Sequence, residues 1–383
     1  MRTADLIVIG AGVFGTFHAY FAALKGYRTL LIERNAWPND ASVRNFGMIV
    51  QTIADPANRS ADYARATATV YRTIQQRHDI SVRANGSLYL ASTGPEDAVL
   101  REYARYASAD QRCVYLEGSE AVRRYPFIKE SYCKGVLHFP DDLTLEPRRM
   151  LRRLIPYLVE TAGVEYLPHT AVQTVERSGD SCLVRDARGE RYMARQVIVA
   201  SGAEYRTLFP ERFRSEDARI CKLQMMRIAP HSGIQIPHAL LSGLSIRRYP
   251  GFSICPAYAQ LAAQPMDEDL RTHGIHVLFK QEDDGSIIIG DSHEYRDWAD
   301  ASALEERNEC AIDDAILRYA QTMLRLPSWN IAARWNGYYP VFPGRDIYRE
   351  SIDGRIHLVG SATGNGMTVG PGFAEQHIAA LLA

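Results

Sequence analysis

Cysteine is scarce in this 383-residue sequence, and no two cysteines have the spacing of a metal-ligand pair or of a redox CxxC motif. We therefore predict reduced, mostly buried thiols and no structural or catalytic metal site. No apolar run approaches the ~20 residues of a transmembrane helix. The chain starts almost directly on a strand pattern, so we expect no signal peptide. A cytoplasmic protein without a membrane partner is expected. The six cysteines are at positions 113, 133, 182, 221, 255 and 310.

An excess of charge of one sign is also missing. The sequence has 44 lysine and arginine residues against 45 aspartate and glutamate residues, a formal net charge of −1 at pH 7. Bulk electrostatics therefore gives no reason to expect a nucleic-acid partner. Neither an internal repeat nor a low-complexity segment is present. The 46% hydrophobic and 23% charged fractions are typical of a globular protein, and the length suffices for two domains.

The first 34 residues carry the strongest pattern in the chain. Asp5 to Ile9 is typical of a buried parallel strand, and the sequence Gly-Ala-Gly-Val-Phe-Gly follows it at once. A helix is predicted from about Thr16 to Lys25, and residues 28–32 form a second strand that ends in Glu33. A glycine fingerprint for dinucleotide binding requires this strand–turn–helix–strand context.

Each glycine of the first turn has a predicted role. Gly10 permits the tight turn, Gly12 lets the backbone approach a pyrophosphate, and Gly15 lets helix and strand pack closely. The N-terminus of the helix offers unpaired N–H groups and the positive end of the helix dipole to the phosphates. Glu33 is placed to accept hydrogen bonds from ribose hydroxyls. The alternative is an ordinary βαβ unit with incidental glycines.

The rest of the chain alternates between two patterns. A strand-and-helix pattern like that of the N-terminus returns in residues 164–203 and 356–382, which indicates a discontinuous nucleotide domain. Between them, alternating strands are predicted at 222–228, 244–249, 276–280 and 286–290, followed by a long helix at 301–323. This middle region is typical of an antiparallel sheet, and we expect ligand chemistry where the two regions meet.

These patterns predict an α/β protein with a discontinuous Rossmann-type domain and an α+β substrate domain whose sheet is mainly antiparallel. The first domain is predicted at residues 1–85, 145–215 and 335–383, and the second at residues 86–144 and 216–334. Two separate glycine-rich turns, one in the first 15 residues and one at 364–368, favour a long, extended cofactor. The last helix is predicted to begin at Pro371.

Five stretches in this order resemble the flavoprotein family of D-amino acid oxidase, glycine oxidase and sarcosine oxidase, across nearly the whole chain. They are residues 10–15, Glu33-Arg34, Ser42-x-Arg44-Asn45-x-Gly47, residues 197–203 and Gly360-x-x-x-Gly364-Asn365-Gly366-Met367-Thr368. The resemblance implies FAD rather than NAD, and removal of a hydride from a carbon that bears an amine. It also implies a Rossmann-type FAD-binding domain. No cysteine lies in residues 337–345, where sarcosine oxidase attaches its flavin, so non-covalent FAD is expected.

The resemblance assigns a set of residues to the cofactor, with the last glycine loop near the pyrimidine end of the flavin. Three alternatives stay open: a plain tight turn at 364–366, a solvated loop at 44–45, and simple packing at Val172. The expected cofactor-binding residues are Gly10, Gly12, Val13, Phe14, Gly15, Glu33, Arg34, Ser42, Arg44, Asn45, Gly47, Met48, Val172, Ala200, Ser201, Gly202, Gly337, Gly364, Asn365, Gly366, Met367 and Thr368.

The substrate side departs from the family pattern. Amino acid oxidases of this family carry an arginine for the substrate carboxylate where this chain has Tyr339, and sarcosine oxidase has a lysine at the position of Thr368. On a strand, Arg247 and Arg248 would point to opposite faces, so at most one would face the pocket. Packing roles remain open for His293, Tyr339 and Met48. The candidate catalytic or substrate-binding residues are Tyr339, His293, Arg247, Arg248, Lys222, Met48, Tyr249 and Thr368.

A branch of the family associated with phosphonate breakdown is similar in residues 221–226, 290–293 and 337–340. This similarity implies a small amine that bears a phosphonate, such as 2-aminoethylphosphonate or its N-methyl derivative. The implied products are an aldehyde or keto compound, ammonia or methylamine, and hydrogen peroxide from dioxygen. A glycine or D-amino acid oxidase, a flavin dehydrogenase with another electron acceptor, and a non-catalytic flavin-binding protein are the alternatives. Whether the protein is a homo-oligomer stays open.

Overall fold

The structure is a computed structural model that describes residues 1–107, 111–204, 206–214, 217–231, 233–304 and 308–382. The strands of these residues are β1 (Arg2–Ile9), β2 (Thr29–Ile32), β3 (Met48–Ile49), β4 (Ser87–Ala91), β5 (Val114–Glu117), β6 (Gly135–Phe139), β7 (Leu143–Thr144), β8 (Glu165–Leu167), β9 (Val172–Ser178), β10 (Ser181–Asp186), β11 (Arg191–Val199), β12 (Arg219–Ile228), β13 (Ala239–Leu241), β14 (Leu278–Gln281), β15 (Ile287–Gly290), β16 (Glu294–Asp297), β17 (Ile331–Val341), β18 (Ile347–Ile352) and β19 (Ile356–Ser361).

The α-helices of the same residues are α1 (Val13–Leu24), α2 (Arg59–Arg77), α3 (Gly94–Tyr106), α4 (Gly118–Arg124), α5 (Pro147–Ala162), α6 (Pro210–Arg214), α7 (Gly243–Arg248), α8 (Ala257–Ala262), α9 (Glu268–Thr272), α10 (Cys310–Met323) and α11 (Gly366–Leu381). Short 3₁₀ helices lie at Ala41–Val43, Gln51–Ile53, Pro250–Ile254 and Trp298–Leu304.

The first sheet is the Rossmann-type layer that the N-terminal pattern predicts. Its strand order is β18-β19-β11-β1-β2-β8, and the strands from β19 to β8 run parallel. Leu6 and Val8 of β1 pack into a core with α1, α5 and α11 on one face. Ile7 and Ile9 pack on the other face, against the core that also contains residues of β9 and β10. A strand covered on both faces requires a continuous apolar run, which explains the sequence of β1.

The second sheet is mainly antiparallel, as expected for the middle region. Its strand order is β16-β12-β15-β14-β13-β4-β6-β5, with β17 also paired to β12 and one parallel pair, β13 with β4. In the pairing of β12 with β17, Cys221 lies opposite Tyr339. Strand β17 crosses the domain boundary predicted at residue 335. The division into domains remains a prediction, but the whole of β17 lies in the second sheet.

Two predicted elements of the middle region are wrong. Residues 244–249 were expected as a strand, but Gly243–Arg248 is helix α7. Six residues that mostly alternate apolar and polar side chains are too few to distinguish a strand from a helix, and β14 already occupies the position beside β13. The long helix expected at 301–323 is a 3₁₀ helix up to Leu304 and α10 from Cys310. Residues 305–307 of that prediction lie outside the described residues.

None of the helices in the described residues is both long enough and apolar enough to cross a lipid bilayer.

All six cysteines are free thiols, and four of them are buried. The remaining two, Cys113 and Cys310, are partly or fully exposed.

Three histidines are buried where α11 packs against α1 and β19. The Nδ1 atom of His18 donates to the carbonyl oxygen of Phe14 at 2.7 Å, and its Nε2 lies 3.0 Å from Nδ1 of His377. The His357 ring is 5.7 Å from the His377 ring. Burial lowers the pKa of His18 and of His357 to about 4, and that of His377 to about 3.

We expect this histidine cluster to make the fold sensitive to acid. A folded-state pKa below the ordinary value of 6.5 means that the unfolded chain binds protons first as the pH falls below 6.5. Each histidine then lowers the free energy of unfolding by up to about 2 kcal/mol between pH 6.5 and pH 5, at ~1.4 kcal/mol per pH unit. His377→Asn should flatten the dependence of the unfolding free energy on pH, as measured by urea titrations between about pH 7 and pH 5.

His169→Asn is the matched control for this measurement. His169 is exposed and has a φ of 55°, a conformation that asparagine tolerates. The control should keep the pH dependence of the parent protein. An unchanged slope in His377→Asn would show that the cluster does not determine acid stability.

Candidate functional site

Two adjoining cavities lie where the parallel strands of the first sheet end. The larger has a volume of about 520 Å³ and extends to the second sheet, and the smaller has about 340 Å³. Ligands of parallel α/β sheets bind at this edge. Together the two cavities form one elongated site. The residues that line both are Gly12, Ala41, Ser42, Ala200, Gly202 and Ala203.

The first glycine turn has no room for side chains. Gly10 has a φ of 95°, and a Cβ atom there would lie 2.4 Å from the carbonyl oxygen of Ala200. At Gly15 a Cβ would lie 1.8 Å from the carbonyl oxygen of Gly10. Gly15 therefore serves helix–strand packing and lines neither cavity, whereas Gly10 and Gly12 line the smaller one. Helix α1 begins at Val13, three residues earlier than predicted, so its N-terminus lies directly at the site.

Glu33 fixes the backbone of this turn. Its Oε2 accepts a hydrogen bond from the N–H of Ala11 at 3.0 Å, and its Oε1 accepts one from the N–H of Asn35 at 2.9 Å. The side chain is buried and lines the smaller cavity. Because a carboxylate has about four acceptor positions, two remain for ribose hydroxyls. Arg34, Val172 and Ser201 line the same cavity.

The second glycine turn meets the first from the other end of the chain. Gly364 has a φ of 80°, and a Cβ there would lie 2.5 Å from the ring of Tyr339. The hydroxyl oxygen of Ser361 accepts from the N–H of Gly364 at 3.1 Å, and Ser361 donates to Oδ1 of Asn365. Helix α11 begins at Gly366, earlier than the predicted start at Pro371. The N-termini of both α1 and α11 therefore line the larger cavity.

Most of the other residues assigned to the cofactor line the larger cavity. Arg44 and Asn45 stabilise the loop itself: Nε of Arg44 donates to the carbonyl oxygen of Asn39 at 2.7 Å, and Nδ2 of Asn45 donates to that of Ala41 at 2.8 Å. The residues assigned to the cofactor that line this cavity are Gly12, Val13, Phe14, Ser42, Arg44, Asn45, Gly47, Met48, Ala200, Gly202, Gly337, Gly364, Asn365, Gly366, Met367 and Thr368.

One wall of the larger cavity carries hydrogen-bond donors and charge. This wall, called the far wall below, contains Met48, Arg248, Tyr249, His276, His293 and Tyr339. Arg248, at the end of α7, is exposed to the cavity and donates from Nη2 to the hydroxyl of Tyr295 at 3.0 Å. Burial opposes its charge, but nearby Tyr295, Tyr339 and Asp291 raise the pKa of Arg248 overall. Burial also raises the pKa of Tyr339, so that its phenol stays protonated and can donate. Tyr249, His293 and Met48 complete the predicted residues on this wall.

Two predicted substrate-binding residues, Arg247 and Lys222, line neither cavity. Nε of Arg247 donates to Oε1 of Glu96 at 3.3 Å, because successive residues of helix α7 point in different directions. Lys222 is buried, with its Nζ 3.4 Å from Oε2 of Glu294. Its neighbour on β12, Leu223, lines the cavity, and alternation along a strand directs Lys222 to the opposite face. Both assignments are therefore corrected.

The sequence interpretation missed His276 and gave no role to Asp291. Nε2 of His276 lies 3.0 Å from Oδ1 of Asp291, and Nδ1 of His293 lies 3.8 Å from the same oxygen. Among the described residues, these three form a buried group whose possible metal-ligand atoms lie within 4.8 Å of one another. The expectation of no metal site rested on close spacing along the chain, which cannot detect groups 15 residues apart. No sequence signal marked this group, because Asp291 and His293 lie in the loop between β15 and β16 and not on a shared strand face.

An extended dinucleotide fits these features. The site is elongated, two helix N-termini reach it, and a buried carboxylate with unused acceptor positions lies at one end. Backbone approach is possible because Gly10, Gly12 and Gly364 carry no side chains. Anionic phosphates gain both N–H donors and a favourable dipole at such helix ends.

We expect Glu33→Ala to weaken both the fold and nucleotide binding. The buried N–H of Ala11 would lose its acceptor, which costs about 1–3 kcal/mol of unfolding free energy. Loss of the charged acceptor should lower affinity for FAD by ~10–100-fold. Urea unfolding and fluorescence titration of the apoprotein with FAD measure the two effects. Glu165→Ala on neighbouring β8 is the control: Glu165 is exposed, pairs with Arg2 and lies outside both cavities, so neither quantity should change. Unaltered FAD affinity in Glu33→Ala would remove this carboxylate from the site.

Comparison with curated proteins finds relatives that match part of the chain. Glycine oxidase of Bacillus subtilis is 24% identical over 209 residues, which cover 52% of this chain and 54% of the relative. Monomeric sarcosine oxidase of a Bacillus species is 28% identical over 202 residues, which cover 52% of this chain and 51% of the relative. The chain therefore spans about half the length of the curated relatives that it matches.

Solved structures share the fold over the whole chain. Glycine oxidase from Geobacillus kaustophilus superposes with a TM-score of 0.76 at 17% identity, covering 100% of this chain and 95% of that one. L-alpha-glycerophosphate oxidase from Mycoplasma pneumoniae, solved with FAD bound, superposes with a TM-score of 0.79 at 15% identity and the same coverage. The family model described as FAD dependent oxidoreductase, DAO, matches residues 5–381. The chain therefore belongs to the DAO family of FAD-dependent oxidoreductases, and its cofactor is FAD.

Proposed function

We propose that this protein is an FAD-dependent oxidase of a small primary or secondary amine that carries an acidic group. The preferred substrate class is an aminophosphonate such as 2-aminoethylphosphonate or its N-methyl derivative. One observation carries the proposal: the glycine loop at 364–368 and the wall with Arg248, His276 and His293 line the same cavity. A substrate in that cavity can contact the redox cofactor with one end and donors with the other.

The two walls differ in the chemistry they offer. Phe46, Val50 and Leu223 also line the cavity and provide an apolar surface that excludes water from a reacting carbon. On the far wall, Arg248 is a permanent cation with donors that suit the oxygens of a phosphonate or carboxylate. Arg248 takes over the role that the family gives to the arginine replaced here by Tyr339. It reaches the cavity from α7 rather than from the last strand of the second sheet.

This placement supports the following reaction. The amine binds neutral, with the hydrogen of its α-carbon directed away from Arg248 and towards the glycine loop. FAD would accept the hydride of that C–H bond, which carries both bonding electrons, and the amine would be left as an iminium ion. Water would add to the iminium carbon, and loss of ammonia or methylamine would give an aldehyde or keto product. Dioxygen would then take up the two electrons together with two protons and leave as hydrogen peroxide. No protein base is required, and the protein contributes orientation and exclusion of water.

A glycine or sarcosine oxidase is the second candidate. The curated relatives carry these names, and a carboxylate can pair with Arg248 as a phosphonate can. The two candidates differ in the charge of the acidic group, which is one for a carboxylate and up to two for a phosphonate.

An anaerobic substrate screen tests the proposal. FAD-loaded protein is mixed with glycine, sarcosine, D-alanine, 2-aminoethylphosphonate and its N-methyl derivative, and loss of the yellow flavin absorbance is recorded. We expect the phosphonates to bleach the flavin faster than the carboxylates, and hydrogen peroxide to form when air is admitted. Bleaching by none of the amines would overturn the proposal. Bleaching without peroxide in air would replace the oxidase with a dehydrogenase.

A pair of neighbouring arginines provides a matched test of the anchoring role. Arg248→Met should raise KM for the best amine by ~10–100-fold, the effect of a lost charge-assisted hydrogen bond. Arg247→Met should leave KM unchanged and lower the free energy of unfolding by about 3 kcal/mol, since it leaves the buried Glu96 without its cation. Steady-state peroxide assays and urea unfolding separate the two. An unchanged KM in Arg248→Met would show that the acidic group binds elsewhere.

A further inference from the structure

The histidine pair on the far wall is held by neighbours that determine where protons can sit. Nδ1 of His293 donates to the carbonyl oxygen of Gly274 at 3.0 Å, so a neutral His293 has a bare Nε2. Nδ1 of His276 lies 3.1 Å from the hydroxyl of Ser245. Oδ1 of Asp291 accepts no well-aligned hydrogen bond although Nε2 of His276 is 3.0 Å away. The side chains of His276, Asp291 and His293 are all more than 90% buried.

The charges around this pair nearly cancel in the free protein. The charged or titratable groups that face it are Asp291 from the loop after β15, Arg248 and Tyr249 from the end of α7, and Tyr295, Tyr339 and Cys221 from β16, β17 and β12. Arg248 contributes one positive charge and Asp291 one negative charge. The phenols and the thiol are neutral, because burial raises the pKa of each.

Both histidines are neutral at pH 7 as well. Burial, reinforced by Arg248, lowers the pKa of His293 to about 3, even though Asp291 acts in the opposite direction. Burial also lowers the pKa of His276. The far wall therefore has a net charge near zero but contains two imidazoles that can accept a proton. Beside the guanidinium of Arg248, protonation of either imidazole is disfavoured only as long as no anion is bound.

We propose that Arg248, His276 and His293 form a binding site for a dianionic tetrahedral group, and that the pair takes up one proton from solution when the dianion binds. The inference rests on the proposed function, since it names the acidic group of that same substrate. A monoanion such as a carboxylate needs only the guanidinium of Arg248 as its charged hydrogen-bonding partner. A dianion brings a second negative charge into a poorly solvated cavity, where a protonated imidazole balances it and gains a donor. The site therefore selects its substrate by charge.

A divalent metal is the competing occupant of the same three side chains. The guanidinium of Arg248 opposes it, because the interaction that lowers the pKa of His293 also repels any other cation at that place. A metal would also require both histidines to stay unprotonated, so that its binding releases protons or leaves their number unchanged. Proton uptake and proton release therefore separate the two occupants.

Isothermal titration calorimetry of the FAD-loaded protein tests the proposal, with buffers of different ionisation enthalpy at one neutral pH. Sulfate and methanesulfonate are the two probes, since both are tetrahedral and only the first is a dianion. Sulfate does not titrate in this pH range, so any uptake belongs to the protein. We expect about one proton per sulfate and none per methanesulfonate. The dissociation constant of sulfate should rise by up to ~10-fold per pH unit above neutrality, the limit for one linked proton.

Variants identify the groups that take up the proton. His293→Asn keeps a donor for the carbonyl oxygen of Gly274 but cannot become charged. His276→Gln likewise keeps a nitrogen donor in place of Nε2 of His276 but cannot become charged. Either change should weaken sulfate binding at least tenfold, and the double variant should abolish proton uptake while binding of methanesulfonate persists. His138→Asn is the control: His138 lies on β6 outside both cavities, and its replacement should leave both properties unchanged.

Two results would overturn the inference: equal affinity for both probes without proton uptake, or sulfate binding that needs added Zn²⁺ and is lost with a chelator. Because neither probe contains an amine, the readout is independent of amine oxidation. Bleaching by glycine together with no proton uptake on sulfate would reject this inference alone. Proton-linked sulfate binding without bleaching by any amine would reject the proposed function alone.

Discussion

The close approach of two backbone segments at Gly10 and Ala200 determines the geometry of the whole site. The N–H of Ala200 donates to the carbonyl oxygen of Ile9, and the N–H of Gly10 donates to that of Ile32, both at 2.8 Å. These bonds hold together the ends of three parallel strands, and the space beside Gly10 is too small for a Cβ atom. Gly15 has the same constraint in the first turn of α1, because a Cβ atom there would collide with the carbonyl oxygen of Gly10. The first N–H groups of α1 are consequently fixed in direction before any ligand binds.

Strand β17 connects this fixed edge with the substrate wall. It pairs with β12 along its length and so belongs to the second sheet, yet Gly337 and Tyr339 reach the larger cavity. The ring of Tyr339 lies over Gly364, which has no side chain to displace it. One strand thus brings the last glycine loop and the far wall to the same cavity. This arrangement explains why residues from opposite ends of the chain form one site.

The sequence predicted the parts of this structure that depend on local pattern. The turn at 10–15, the acid at 33, the parallel strands and the glycine-rich turn at 364–368 follow from spacing and hydrophobic runs. The family resemblance added the expectation that the last of these turns lies near the flavin. Helix α7 was missed because residues 244–249 alternate apolar and polar side chains over too short a run to exclude a helix. With that error, the choice between Arg247 and Arg248 had no geometric basis. His276 and Asp291 were beyond reach because tertiary folding, and no spacing rule, brings them together.

The two helices that present their N-termini to the cavity are also joined to each other by side-chain contacts. His18 of α1 and His377 of α11 share a hydrogen bond, and Phe14 and Phe373 of the same helices lie 5.9 Å apart between ring centres. Protonation of the pair would place like charges between the helices and separate them. Both cofactor-facing helix ends would then lose their alignment in the same event. Release of flavin and collapse of the native state should therefore coincide in acid, which leaves no interval in which a stable apoprotein accumulates.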